Sequence, residues 1–233
     1  MYLKQLKFNN FKNYKEAELK FSPRINCFIG KNGAGKTNVL DAIYYLSFCK
    51  SYFNPIDSQN IRHQEDFFAI HGEYVRKQNA IDKVHCVLKR NMNKQFKLNE
   101  KKYDRLADHI GLIPLVMISP YDRDLINNGS EVRRKYIDGV ISQFDRIYLN
   151  NLLDYNKALA QRNALLKLFA ERRYFDDLAL EIWDAKLIKL GQSIVEKRKS
   201  FIDEFIPIFQ KYFTLISGGN EEVELSYQSA LCE

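Results

Sequence analysis

The chain has 233 residues with 36 Lys+Arg against 29 Asp+Glu, a formal net charge of +7, and it is 45% apolar with 10 Gly and 5 Pro. Those figures exclude a disordered chain, a collagen and a small disulfide scaffold, and they suit one large domain or two small ones.

In chain order, Tyr2, Lys4, Leu6 and Phe8 alternate with Leu3, Gln5 and Lys7, and Ala17, Leu19 and Phe21 follow at the same period of two. Both stretches predict strands, joined through Asn9–Tyr14. Such an alternating start is no signal peptide. Ser22-Pro23 breaks the second strand, and Ile25 to Ile29 predicts a short buried one. A glycine-rich loop, Gly30 to Gly35, comes next. From Lys36 the period turns helical, with Val39, Leu40, Ile43, Leu46 and Ser47 on one face. Short strands are predicted around Ala69–Val75, Lys83–Arg90 and Gln95–Leu98, with a turn at Asn91-Met92-Asn93. Leu115–Ile118 predicts another strand.

After Asp122 the texture changes. A helical stripe from Val132 to Phe169, interrupted at Gly139 or Asp145, precedes a second from Leu178 to Phe213 that Pro207 should kink or end. Together they predict a helical hairpin or small bundle. Ser217–Asn220 reads as a turn, and Val223–Tyr227 as a strand. The domain boundary falls near residue 120. The longest apolar run, Ile110 to Ile118, contains Gly111 and Pro114 and has nine residues, where a membrane-spanning helix needs about 20. Cys27, Cys49, Cys86 and Cys232 are widely spaced and read as free thiols of a reducing cytoplasm.

Gly30-Lys31-Asn32-Gly33-Ala34-Gly35-Lys36-Thr37 matches G-x-x-x-x-G-K-[ST] between an apolar strand and an amphipathic helix. The glycines let successive N–H groups form an anion nest, and the helix start adds partial positive charge. Lys36 is placed to reach β- and γ-phosphates, and Thr37 to hold Mg²⁺, so ATP and Mg²⁺ are the expected cofactors. Asn32 and Asn38 either bond phosphate or shape the loop. A water-activating acid at a strand end is missing. Asp122 follows the apolar run Leu115–Ile118 only beyond Ser119-Pro120.

The positive charge is concentrated. Arg76 to Arg105 holds ten basic residues against three acidic ones, an excess equal to that of the whole chain. Lys89, Arg90 and Lys94 flank the predicted hairpin tip, and Lys97, Lys101 and Lys102 follow. They suit either a DNA phosphate contact or a lysine-guarded sheet edge.

The opening Leu6–Tyr14, together with Phe28–Ile43, resembles the SMC-like DNA-repair ATPases and, among them, the bacterial RecF family. Ser119-Pro120-Tyr121-Asp122, Arg133–Asp138, Gln161–Lys167 and Trp183–Arg198 resemble segments of the same family. The resemblance implies an α/β fold: the N-terminal part of a P-loop ABC/SMC-type ATPase lobe with a mixed sheet (1–120), followed by an inserted, mainly helical lobe (121–233). It implies recombinational repair and the SOS response, binding of gapped or single-stranded DNA, ATP-dependent homodimerisation and RecO/RecR-type partners. RecF chains carry their signature motif and acidic strand beyond the point matching Glu233, so weak ATPase activity is expected of the longer protein and little of these residues alone. An ABC-transporter ATP subunit and a P-loop kinase are the alternatives.

Overall fold

The computed structural model describes residues 1–229, which places Cys232 outside the described residues. It divides into two compact units, one from Met1 to Ser119 and one from Pro120 onward.

In the first unit β1 (Tyr2–Phe11), β2 (Tyr14–Lys20), β3 (Phe67–Val75), β4 (Ile81–Lys89), β5 (Gln95–Leu98) and β6 (Lys101–Lys102) form one sheet in the order β2-β1-β3-β4-β5-β6. Every pairing in it is antiparallel. Short turns explain this: antiparallel neighbours can be joined by a few residues, as at Asn91, which takes φ 57° between β4 and β5. Alternation along each strand puts Leu6, Phe8, Phe68, Ile70, Tyr74, Val84, Cys86 and Phe96 on one buried face. Helix α1 (Lys36–Phe48) covers that face with Val39, Ala42, Tyr45 and Leu46. Gly72 sets the contact distance, because a Cβ there would come within 2.6 Å of Leu46 Cδ1. Leu40, expected on the buried face of α1, is instead exposed, and Asp41 is buried.

Two predicted strands do not form. Ile25–Ile29 and Leu115–Ile118 make no ladder among the described residues. Ile25 and Ile29 are 82% and 96% exposed, and Val116 and Ile118 are 67% and 83% exposed. Their apolar pattern is that of a strand, but neither segment joins the six-stranded sheet. Val223–Tyr227 likewise runs without strand pairing.

The second unit contains the short helix α2 (Asp124–Asn127), then α3 (Ser130–Ile141), α4 (Arg146–Arg172) and α5 (Asp177–Ser217). Gly139 does not interrupt α3. Asp145 does divide the stripe, as the N-cap of α4, where its carboxylate accepts from Tyr148 N at 2.9 Å. That bond and the Lys197 ammonium hold the Asp145 carboxyl below its usual range. Helices α4 and α5 run antiparallel, since Asn151 bonds Ser193 while the later Arg162 pairs with the earlier Asp184. Arg198 forks onto Asp138 with two 2.8 Å bonds, tying α5 to α3. Pro207 does not end α5. The carbonyl that the missing N–H leaves unbonded belongs to Asp203, an exposed residue of the helix. Gly218, at φ 66°, closes α5 with its N–H on Thr214 O, so Ser217–Asn220 is a helix stop. No described helix is long and apolar enough to cross a membrane.

At the far end of α1, the fully buried His109 sits 2.6 Å through Nε2 from Leu46 O and 3.2 Å through Nδ1 from Tyr103 Oη. A neutral ring that donates from Nε2 and accepts at Nδ1 satisfies both. Burial lowers the His109 pKa against a smaller opposing effect of the Leu46 carbonyl. The unfolded chain, with a histidine pKa of about 6.5, then binds a proton that the folded chain refuses. Stability is intact above about pH 6.5 and falls as the pH drops below it. Thermal melts between pH 7 and 5 should show a shallower loss in His109→Gln than in the parent. An unchanged pH slope would show that the ring titrates freely in the fold.

Candidate nucleotide-binding site

The loop from Gly30 to Gly35 delivers the chain into α1 through two left-handed glycines, Gly33 at φ 79° and Gly35 at φ 102°. At Gly35 both conformation and space demand glycine: a Cβ would lie 2.6 Å from the Tyr14 ring and 2.8 Å from the Asn13 amide. The turn between β1 and β2 therefore packs directly on the loop. Asn38 donates to Asn13 Oδ1 at 2.8 Å, which gives Asn38 a shaping role. Asn32 is exposed, as are Lys31, Gly33 and Ala34.

Helix α1 begins without a side-chain cap and without an acid in its first turn. Its partial positive charge is left uncompensated by the chain, which suits an anion. Lys36 Nζ bridges Gly30 O and Lys31 O at 2.8 Å each. The ammonium is thus held at the loop by two neutral carbonyls, partners weaker than a phosphate oxygen. Thr37 is exposed on the first turn of α1.

Behind the loop lies a charge pair not anticipated from the sequence. Asp41 is fully buried in α1 and accepts from Ser51 Oγ at 2.6 Å and Tyr52 N at 2.7 Å. Lys12 Nζ, on the β1–β2 turn, is 2.5 Å from it. The same ammonium lies 5.5 Å from the Phe53 ring centroid and 5.7 Å from that of Phe11. The only sequence signal was the odd placement of an acid among apolar helix positions. Asp122 occupies a 3-10 turn, Pro120–Arg123, and not a strand end.

The basic stretch separates into outward and inward residues. Lys89, Arg90, Lys101 and Lys102 are exposed, with Lys101 and Lys102 forming edge strand β6; Lys97 is half-buried on β5. Arg90 Nε donates to Glu65 O at 3.0 Å. Lys94 does not project from the hairpin. Its side chain is 10% exposed, 2.6 Å from Asp57 Oδ2 and 3.1 Å from Tyr45 Oη. Burial in this network pushes the neighbouring Cys49 thiol up to about 12 and raises Cys86 well above the ordinary thiol value, so both are structural thiols.

The model of a family described as AAA ATPase domain matches residues 1–229. The chain belongs to the AAA ATPase domain family. Within this ATPase family it is similar to the DNA replication and repair protein RecF of Phocaeicola vulgatus, at 55% identity over 98% of this chain and 61% of that protein. To RecF of Flavobacterium johnsoniae it is 53% identical over 100% of this chain and 65% of the relative. The fold superposes on a structure described as the recombination mediator protein RecF with ATP in the RecFOR pathway, with a TM-score of 0.87 and 34% identity. That match covers 93% of this chain and 58% of the other. The chain thus spans about three-fifths of the length of these relatives.

Replacing Lys12 by Met should strand the Asp41 carboxylate and cost about 3 kcal/mol. Adding Asp41→Asn should recover at least half of that loss, because the pair and not either charge is what the fold accommodates. Hydrogen exchange of α1 under urea reads the effect; Trp183 fluorescence reports the other unit. Equal losses in the single and double variants would deny the coupling.

Proposed function

We propose that this chain binds ATP at Gly30–Thr37 as part of a RecF-type DNA replication and repair protein of the cytoplasm. The observation that carries this is the loop itself, with Gly33 and Gly35 left-handed, an uncapped helix start and Lys36 held on two carbonyls. The likeness to a RecF structure described with ATP supports it. Backbone N–H groups of Gly33, Gly35, Lys36 and Thr37 would receive phosphate oxygens, and Lys36 would exchange its carbonyl partners for them. The Thr37 hydroxyl is the group on hand for Mg²⁺, which would supply charge neutralisation between the phosphates. Asn13 and Tyr14, wedged on Gly35, fix the loop before any ligand arrives. No strand-end acid stands beside the loop among the described residues to activate water, so these residues bind nucleotide and turn it over slowly. Dimerisation with ATP bound and RecO/RecR-type partners belong to the same proposal.

Addition of ATP and Mg²⁺ should slow amide exchange across residues 30–38, and Lys36→Ala should abolish the effect while leaving the melting curve within about 2 °C of the parent. Exchange unchanged by nucleotide in the parent chain would refute the proposal.

DNA is the proposed macromolecular partner, contacted by Lys89, Arg90, Lys97, Lys101 and Lys102. Such contact is made with phosphates, is little dependent on sequence and weakens with salt. Neutralising Lys89, Arg90 and Lys101 together should flatten the slope of log affinity against log salt by about three units, at roughly 0.9 per phosphate contact. Lys94→Met should lower stability and leave that slope alone. An unchanged slope with more aggregation in the triple variant would identify the lysines as an edge guard.

A further inference from the structure

The face of the sheet turned away from α1 carries a row of paired residues across all six strands: Glu18, Lys7, His71, His85, Lys97 and Lys102. At its centre two histidines stand directly opposite on β3 and β4. Their Nδ1 atoms are 3.1 Å apart, their ring centroids 4.0 Å, and the ring planes are tilted by 42°. Their Nε2 atoms face carboxylates, His71 towards Glu73 Oε1 at 3.7 Å and His85 towards Glu100 Oε1 at 3.4 Å. His85 Nε2 is buried and makes no hydrogen bond.

Carboxylates beside Nε2 favour the tautomer with the proton on that nitrogen. With one Nδ1 protonated the 3.1 Å approach is a hydrogen bond between the rings; with both protons on Nε2 the two Nδ1 lone pairs face one another and a metal cation can take the place of that shared proton. We propose that His71 and His85 are a two-ligand site for a divalent transition-metal ion of the imidazole-binding class (Ni²⁺, Cu²⁺ or Zn²⁺), with water completing the shell. At a metal–nitrogen length of about 2.0–2.1 Å, nitrogens 3.1 Å apart subtend roughly 100° at the ion. That lies between the square-planar and tetrahedral angles. The rings must reorient for both lone pairs to meet at one ion, and the 21% and 33% exposure of these side chains leaves them partly open to solvent on that face. Glu73 and Glu100 then act as the carboxylates behind the ligands. Lys83 and Lys97 oppose the cation and keep binding moderate. No group of three His, Cys, Asp or Glu suited to a metal exists among the described residues, so the ion stays open to exchange and to an outside ligand.

The test is calorimetric titration of the 233-residue chain with Ni²⁺ in nucleotide-free buffer, in a Cys27→Ser, Cys232→Ser background that removes the exposed thiol and the one near the C-terminus. One equivalent should bind, with perturbed side-chain nitrogen signals of His71 and His85. His71→Ala and His85→Ala should each weaken binding at least tenfold, because the second ligand no longer acts at high effective concentration. Glu100→Gln should weaken it about tenfold, and the exposed His63→Ala should change nothing. Circular dichroism confirms that each variant is folded. Absence of saturable binding overturns the proposal, as does binding that survives in the His71→Ala, His85→Ala double variant. So does a spectrum in which the two rings share only a proton and ignore the metal.

Discussion

Helix α1 lies on the sheet at a distance set by Gly72, and the rest of the first unit is organised around that contact. A methyl group at that position would collide with the end of the Leu46 side chain and with the Tyr74 ring, so these buried side chains would have to repack. Polar fastenings fix the helix along its length. Lys12 and the segment at Ser51–Tyr52 meet at Asp41 near its start. Near its end Ser47 Oγ donates to Ile113 O at 2.5 Å, while His109 takes the Leu46 carbonyl. A close-packed interface resists sliding, and buried polar pairs fix its register. The glycine-rich loop Gly30–Gly35 runs directly into the N-terminus of this helix, so its geometry depends on the same contacts.

The strands from β1 to β5, the loop and α1 could be read from the sequence because their signals are local. Period-two alternation, glycine spacing and a switch to helical period need only neighbouring residues. Less visible was whatever depends on a partner distant in the chain. Lys94 looked like one more lysine at a hairpin tip, yet Asp57 draws it inward across 37 residues. Lys12 and Asp41 are separated in the same way. Pro207 shows the converse: a strong local rule yielded where the residue four before it is exposed and the flanking turns stay helical. The His71–His85 pairing required knowledge of register, which alternation alone leaves free by two residues.

Ile25–Ile29 and Leu115–Ile118 sharpen that point. Alternation measures the capacity of a segment to pair, and a strand exists only when another segment supplies the ladder. Leu115, Met117 and Ser119 are half-buried while Val116 and Ile118 are exposed, so the period of two survives outside the sheet. Phe28 similarly packs on the core from a segment whose flanks face solvent. The hydrophobic half of strand formation is present here, and a place in the sheet ladder is not.

Lys36 and Lys94 show how one side-chain type is put to opposite uses within one unit. Lys94 meets a full carboxylate charge in a nearly closed setting. Exchanging that partner for a ligand would give up a charge-assisted bond made by an ammonium that is only 10% exposed. Lys36 meets only two carbonyl dipoles in an exposed loop. Charge-assisted bonds to an anion are about twice as strong as neutral ones, and the carbonyls it leaves can turn to water. The exchange is therefore downhill for Lys36 and uphill for Lys94. Their difference in partners separates a lysine able to take a phosphate from one committed to the fold, and it does so without reference to any motif.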